Sequence, residues 1–517
     1  MFAAWPVSPL TFLIFFAFVP LLWMERQGIR RAAFFGWVYL AMLIWNVGTT
    51  WWVWNASPAA IGAFTANSLL MCLPWLGFHY LRPRLGNVIG YASLIVFWLS
   101  FEYLHLQDWG LSWPWLTLGN VFAGRPEWVQ WYSFTGVSGG GLWILVLNVL
   151  VFRWLWNAVQ KKVYGVWPAV WIALLALFPI FVSMQYAGVL ESGSKAFAYA
   201  PAEKNVLIVQ PNIDPYEKSS TGTFDAQLRR LIRLSDSSID SNTVLVVWPE
   251  TALSNDEGFL EDSLKGNFFL KPLWAFLQRH PRINLLTGIE SLRIFDNKHS
   301  ATAMKIPNTD KYYESYNAAS IMDSAGPEVI YHKSKFVPGA ESLPVYLHWL
   351  VPVFEKFGAT EDGYTGQPDR TPMQTTNHSY LIAPAVCYES IYGEFMAQYA
   401  HNGADLIAVI TNDGWWGNTP GVYQHEEYAS LRAIEARRWV VWCANTGISA
   451  LIEPSGRIVD SRPWATQGVM KVVVPKETGM TFYAAYGDIL SKLALGLTLL
   501  FWIWHFITII KRKRSHG

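Results

Sequence analysis

The chain has 517 residues and a formal net charge of +1, so no global basicity points to nucleic acid. Hydrophobic residues make up 52%, aromatic residues 16% and charged residues only 15%, with 29 tryptophans. That is too apolar for an ordinary soluble protein and points to a membrane protein of two or three domains. Three cysteines, Cys72, Cys387 and Cys443, cannot build a disulfide framework.

In chain order, residues 1–190 are expected to be an N-terminal transmembrane region of about six spans, near 8–24, 33–54, 58–80, 88–106, 134–156 and 166–188. Each holds close to the roughly 20 apolar residues that a bilayer core requires. A seventh span is expected over 489–510, followed by a basic cytoplasmic tail at 511–517. The first span lacks a basic n-region and a small-x-small cleavage site, so it is read as a span and not as a signal peptide.

Basic residues cluster in alternate loops. Arg26, Arg30 and Arg31 follow the first span, and Arg82 and Arg84 the third. Arg153, Lys161 and Lys162 mark the end of the fifth, and Lys511 to Arg514 follow the seventh. The intervening loops are poor in Lys and Arg, so the basic loops are expected in the cytoplasm and the 190–488 segment on the opposite face, the periplasm in a Gram-negative cell. In "LSWPWLTLGN", Trp113 and Trp115 read either as an interfacial aromatic belt or as lipid contacts. Glu102, near the end of the fourth span, is a functional candidate by depth, or a side chain snorkelling to the interface.

Residues 203–475 read as a soluble α/β domain. "NVLIVQP", "TVLVVWPE", "NLLTGIE", "SYNAASIMD", "YLIAPAVCYE", "DLIAVITND", "VVWCANTG", "SALIEP" and "VMKVVV" are predicted strands, rich in β-branched residues and bordered by polar residues, Gly or Pro. "FDAQLRRLIRLSDSSI" and "YQHEEYASLRAIEARR" are predicted helices. The pattern predicts a layered α/β fold. Three strands end in polar clusters: Glu250, then Cys387 to Glu389, then Asn412 and Asp413. Strand ends are where open α/β folds place their sites.

Cysteine catalysis needs a base for the thiol and a positive or donor group where charge develops on the attacked carbonyl. Cys387 supplies the sulfur, Glu250 a carboxylate suited to proton transfer, and Lys333, Lys335 and Glu341 further charges. From the residues alone, Cys387 reads as core packing before it reads as a nucleophile, and the readings of Glu250 as a helix cap and Lys333 as a surface charge stay open. No histidine is obviously placed as the base. His425-Glu426-Glu427 invites a zinc reading, but position 429 is Ala, so the His-Glu-x-x-His spacing fails and no metal is expected. Cys443 is read as strand packing and Cys72 as inert within a span. A Cys387–Cys443 disulfide would abolish the nucleophile and is not expected.

"WPETALS", "YHKSKFVPGAE", "VCYES" and "TNDGWWG" appear in that order between Trp248 and Gly417. Together they resemble the motifs of the carbon–nitrogen hydrolase, or nitrilase, superfamily. The resemblance implies a four-layer α-β-β-α sandwich and a Glu-Lys-Cys triad, mapped here onto Glu250, Lys333 and Cys387. Lys333 is chosen over Lys335 because the pattern is Tyr-x-Lys with Glu eight residues on, here Tyr331, Lys333 and Glu341. With "SWPWLTLGN" and "ETGMTFYAAYGD", the membrane flanks are similar to the apolipoprotein N-acyltransferase branch. That branch usually has eight spans, so its first is expected to be missing here. It often carries a Trp where this chain offers Tyr216 and Lys218.

The resemblance implies a two-step reaction without a cofactor. Glu250 takes the Cys387 proton, and the thiolate attacks a phospholipid ester to give a thioester. Lys333 and a backbone N–H steady the oxyanion. The amine of a diacylated lipoprotein's terminal cysteine then takes the acyl chain. Glu341, Tyr388, Glu389, Asn412 and Trp415 are expected to line the pocket or orient the triad, and Trp416 either lines an acyl chain or packs a loop. The expected partners are the phospholipid donor, the lipoprotein acceptor and the bacterial inner membrane, with the enzyme a monomer. The rivals are a membrane-tethered amidase acting on a small carbon–nitrogen substrate and a catalytically dead scaffold.

Overall fold

A computed structural model describes residues 1–107, 109–161, 165–197, 204–216, 221–255, 257–342, 347 and 363–514. Lys162, Lys218 and the end of the basic tail, 515–517, lie outside the described residues. The chain divides into two compact units. One comprises residues 1–51, 60–184 and 486–517, and the other 52–59 and 185–485.

In the first unit and its flanks, five helices among the described residues are long and apolar enough to cross a membrane. They are Arg31–Thr50, Ala60–His105, Val137–Gln160, Val166–Val189 and Ile489–Lys511. Two differences from the seven expected spans have local causes. The spans at 58–80 and 88–106 run together as one stretch, broken near Pro83 and at Gly86, whose φ of +77° only glycine adopts readily. The span expected at 8–24 is instead a 3₁₀ helix, Thr11–Phe16, followed by a short α-helix, Val19–Arg26. Pro20 stands in the first turn of the latter, where its missing N–H costs nothing, whereas a continuous helix would have lost a hydrogen bond there.

Asn148 satisfies the backbone freed at this break. Its Oδ1 accepts from the Phe18 N–H at 2.8 Å and its Nδ2 donates to the Ile14 carbonyl at 2.9 Å. Glu102 is buried and does not snorkel. Its Oε1 accepts from the Leu118 N–H at 2.7 Å and from the Trp98 indole at 2.8 Å, tying down the loop that carries Trp113 and Trp115. Trp115 is itself fully buried, so it packs inside the unit and forms no interfacial belt.

The second unit is a sandwich of two sheets between helices. Its larger sheet runs in the order Gly468–Val473, Asn205–Gln210, Thr243–Val247, Asn284–Phe295, Tyr312–Met322, Met304–Lys305, with Phe259–Leu260 and Pro327–His332 paired at the side. The smaller runs Ile458–Arg462, Ser449–Ile452, Val440–Ala444, Leu406–Thr411, Leu381–Val386, Met373–Gln374. Central strands such as Asn205–Gln210 and Leu406–Thr411 are buried on both faces, which is why they read as continuous apolar runs. Helices Thr221–Asp236 and Lys271–Arg279 cover the larger sheet through Leu228, Leu231, Leu273 and Phe276. Helices Gly393–His401 and Pro420–Ala436 contact strands of the smaller. Cys443 lies between the sheets, its sulfur 3.4 Å from the carbonyls of both Val209 and Val247, and all three cysteines are free thiols.

Candidate active site

Glu250, Lys333 and Cys387 each stand just past the end of a strand, after Thr243–Val247, Pro327–His332 and Leu381–Val386 respectively. Two of these exits are sharp elbows. Thr251, beside Glu250, has a φ of +46°, and Cys387 itself a φ of +54°. Left-handed backbone at a residue with a side chain is strained and is held only where its surroundings over-determine it.

The Glu250 elbow is fixed by close backbone packing. A Cβ at Gly288 would lie 2.3 Å from the Thr251 nitrogen and 2.6 Å from the Pro249 oxygen. The Gly288 N–H donates to the Pro249 carbonyl at 3.2 Å and its own carbonyl accepts from Leu253 at 3.0 Å. Gly288→Ala is therefore expected to push the Glu250 turn away. The cost should be about 3 kcal/mol, the upper end for overpacking, because the clash is with backbone. A thermal melt and a transfer assay on the same preparation check this, and activity should fall at least as steeply as stability.

The charged groups converge. Lys333 Nζ donates to Glu341 Oε1 at 2.7 Å and stands 3.4 Å from Glu250 Oε1. Asn317 donates through Nδ2 to Glu250 Oε1 at 2.8 Å and to Glu341 Oε1 at 3.3 Å, and its carbonyl accepts from the Lys333 N–H at 2.9 Å. The Val337 N–H holds Glu341 Oε2 at 2.8 Å. Lys333 is only 1% exposed. Burial alone would depress its pKa, but the Glu341 and Glu250 carboxylates outweigh burial, and the ammonium is held well above the usual lysine range. A permanent positive charge thus sits between two acids.

Cys387 is 9% exposed. Burial pushes its thiol well up, the Glu250 carboxylate pushes it further, and Lys333 opposes both. A resting thiolate would add a negative charge to a site already holding two carboxylates and one ammonium. Moving the proton from Cys387 to Glu250 leaves the site's charge unchanged, so proton transfer can accompany attack. Below its raised pKa the sulfur stays a thiol, and its reactive fraction climbs with pH. The rate of Cys387 alkylation by iodoacetamide is therefore expected to keep rising past the ordinary thiol value of about 8.5 without levelling. A plateau below pH 9 would contradict this.

Glu389 binds the Cys387 turn to the lysine segment. Its Oε1 accepts from the Tyr331 hydroxyl at 2.6 Å, the Ser334 N–H at 2.6 Å and the Lys335 N–H at 3.2 Å, and its Oε2 from the Val386 N–H at 2.8 Å. Burial raises its pKa against the pull of these donors. Tyr388 is buried, 5.5 Å from the Tyr392 ring in an edge-on pair. Asn412 is also buried, and its Oδ1 accepts from Asn445 at 3.0 Å, so it ties loops together. Trp415 is 39% exposed and meets Tyr216 edge-on at 5.1 Å. Trp416 packs 4.6 Å from Trp52 and 5.4 Å from His425.

Asn317, which bridges Glu250 and Glu341, is not singled out by the sequence motifs; its signal is an amide that interrupts the apolar run of "SYNAASIM".

Left-handed elbows follow two strand ends, one in each sheet, and a buried lysine stands between two glutamates, so the site holds the group types that cysteine chemistry requires. Residues 206–481 match the carbon-nitrogen hydrolase family, and residues 1–150 the apolipoprotein N-acyltransferase N-terminal domain. The chain is 31% identical over 505 residues to the apolipoprotein N-acyltransferase of Chlorobaculum tepidum, covering 96% of this chain and 92% of that one. It is 28% identical over 505 residues to the enzyme of the same name from Azotobacter vinelandii, covering 93% and 87%. Among solved structures it is similar to a nitrilase-superfamily member from Saccharomyces cerevisiae, at 18% identity and a TM-score of 0.37 over 53% of this chain and 90% of that one. The chain belongs to the apolipoprotein N-acyltransferase family: it is an acyltransferase in which apolar helices flank a carbon–nitrogen hydrolase domain.

Proposed function

We propose that this enzyme moves a fatty acyl chain from a membrane phospholipid to the N-terminal amine of a diacylglyceryl-cysteine lipoprotein, through a thioester on Cys387. The convergence of Glu250, Lys333 and Glu341 beside that sulfur is the observation that carries the reading.

In the first half-reaction Glu250 takes the thiol proton and sulfur attacks the ester carbonyl. Negative charge moves to the carbonyl oxygen, where the Lys333 ammonium stabilises it. The C–O bond breaks, Glu250 returns its proton to the leaving alkoxide, and a lysophospholipid departs. In the second half the lipoprotein amine attacks the thioester carbonyl, and Glu250 takes a proton from nitrogen. The C–S bond then breaks, the proton passes to sulfur, and the free thiol is restored. Hydrolysis would release the acyl group to water. Here an amine takes water's place, and the exposed aromatic pair of Tyr216 and Trp415 offers an apolar surface for an acyl chain.

Arg26, Arg30, Arg31, Arg82, Arg84, Arg153 and Lys161 support placing the intervening loops, and the catalytic domain with them, outside the cytoplasm of a bacterial inner membrane. The enzyme acts as a monomer in this scheme.

The test uses the whole enzyme in phospholipid bilayers with a synthetic diacylglyceryl-cysteine peptide. The expected result is a peptide heavier by one acyl chain, with one lysophospholipid formed for each. Release of free fatty acid with an unmodified peptide would favour a hydrolase instead.

A further inference from the structure

Behind the nucleophile lies a second polar cluster that the transfer chemistry does not use. Asp413, 1% exposed, accepts through Oδ1 from the Thr411 hydroxyl at 2.8 Å and faces His425 Nδ1 at 3.0 Å. The other ring nitrogen of His425 lies 3.3 Å from the Cys387 carbonyl oxygen and 3.2 Å from the Ser390 hydroxyl, which itself donates to that carbonyl at 2.8 Å. The cluster therefore meets Cys387 at its carbonyl, on a residue whose φ of +54° needs outside support. Asp413 does not make the thiolate easier to form. Its charge acts against the ionised sulfur, so its presence here calls for a different role.

The cluster is braced from a distant part of the chain. Trp52, fully buried, belongs to the 52–59 segment that joins two apolar helices yet packs within the catalytic unit. Its ring lies so close to the Gly421 backbone that a Cβ there would come within 2.3 Å of it. The same ring packs 4.6 Å from Trp416, whose own ring lies 5.4 Å from His425. Asn55 Nδ2 donates to the Trp416 carbonyl at 2.9 Å.

We propose that Asp413 and His425 clamp the Cys387 elbow as positioning residues, and that Trp52, wedged on Gly421, braces the clamp through Trp416. The clamp fixes the direction from which sulfur meets the carbonyl; the proton transfers remain with Glu250. Misplacing a reacting atom by about 1 Å can cost roughly 10²-fold in rate, so the effect belongs in the acylation step and not in substrate affinity.

The inference rests on Cys387 being the nucleophile, so Cys387→Ala is run alongside. Single-turnover acylation by phospholipid is followed in bilayers for Asp413→Asn, His425→Gln, Trp52→Ala and Trp52→Phe, each checked by thermal melting. The expected result is a 10- to 100-fold slower acylation for Asp413→Asn and His425→Gln, with half-saturating phospholipid within about threefold of wild type. Trp52→Ala should be slowed less, and Trp52→Phe, which keeps a ring on Gly421, should recover most of the rate. The proposal is overturned if Asp413→Asn and His425→Gln acylate within twofold of wild type while Cys387→Ala is dead. It is overturned equally if the rate falls only where the melting transition is lost, since the cluster would then serve folding alone. A Cys387→Ala enzyme with full acylation would instead sink the underlying function.

Discussion

Cys387→Ala is expected to reduce acyl transfer by about 10⁴-fold or more, to the level that binding and electrostatics alone sustain. The reason is the division of labour in the site. In the proposed mechanism Glu250 and Lys333 have no route to the acceptor without the sulfur, because neither holds the acyl chain between two substrates that arrive separately. The variant should still fold. Cys387 occupies a turn whose backbone is held by Ser390 Oγ and by Glu389 on the Val386 N–H, and alanine keeps both contacts. Cys387→Ser is expected to be equally silent, since a hydroxyl is far harder to ionise than a thiol and the site already resists a further negative charge. Acyl transfer to a diacylated peptide, measured beside a melting curve, checks both variants. A folded Cys387→Ala enzyme with wild-type transfer would refute the mechanism outright.

Lys333→Met should lower the rate by about 10³-fold, the upper range for losing one oxyanion-stabilising group. It should also destabilise the domain. Lys333 is the ammonium between Glu250 and Glu341, and removing one partner of a buried charge set typically costs about 3–5 kcal/mol. Methionine matches the lysine in length, so the loss is of charge and not of volume. A double variant, Lys333→Met with Glu341→Gln, should regain part of the stability by removing one uncompensated carboxylate, and none of the activity. Rates and melting temperatures across the three proteins separate the two roles. If the double variant regained activity, Lys333 would be a structural counter-ion only.

Much of this was legible in the sequence because it is local. Central strands betray themselves by β-branched runs, and the Glu, Lys and Cys motifs follow strand ends directly. What stayed hidden depends on distant pieces meeting. Asn317 becomes a site residue only when its strand lies beside the Glu250 turn. His425 was weighed as a metal ligand on helical spacing, but its partners are Asp413 and Cys387, brought to it by the fold. The left-handed elbow at Cys387 carries no glycine signature, since a cysteine occupies the strained position. The first expected span is broken for a reason of the opposite kind. Its apolar content was right, but Pro20 and the side chain of Asn148 let the backbone break inside an apolar unit.

The proposed mechanism requires an acyl chain to reside on one sulfur. Enzyme incubated with phospholipid but no acceptor, then digested and weighed by mass spectrometry, reads this directly. The peptide containing Cys387 should carry one fatty acyl mass, lost on treatment with neutral hydroxylamine and on adding the lipoprotein peptide. A Cys387 peptide that stays unmodified while the same preparation transfers acyl chains would contradict it.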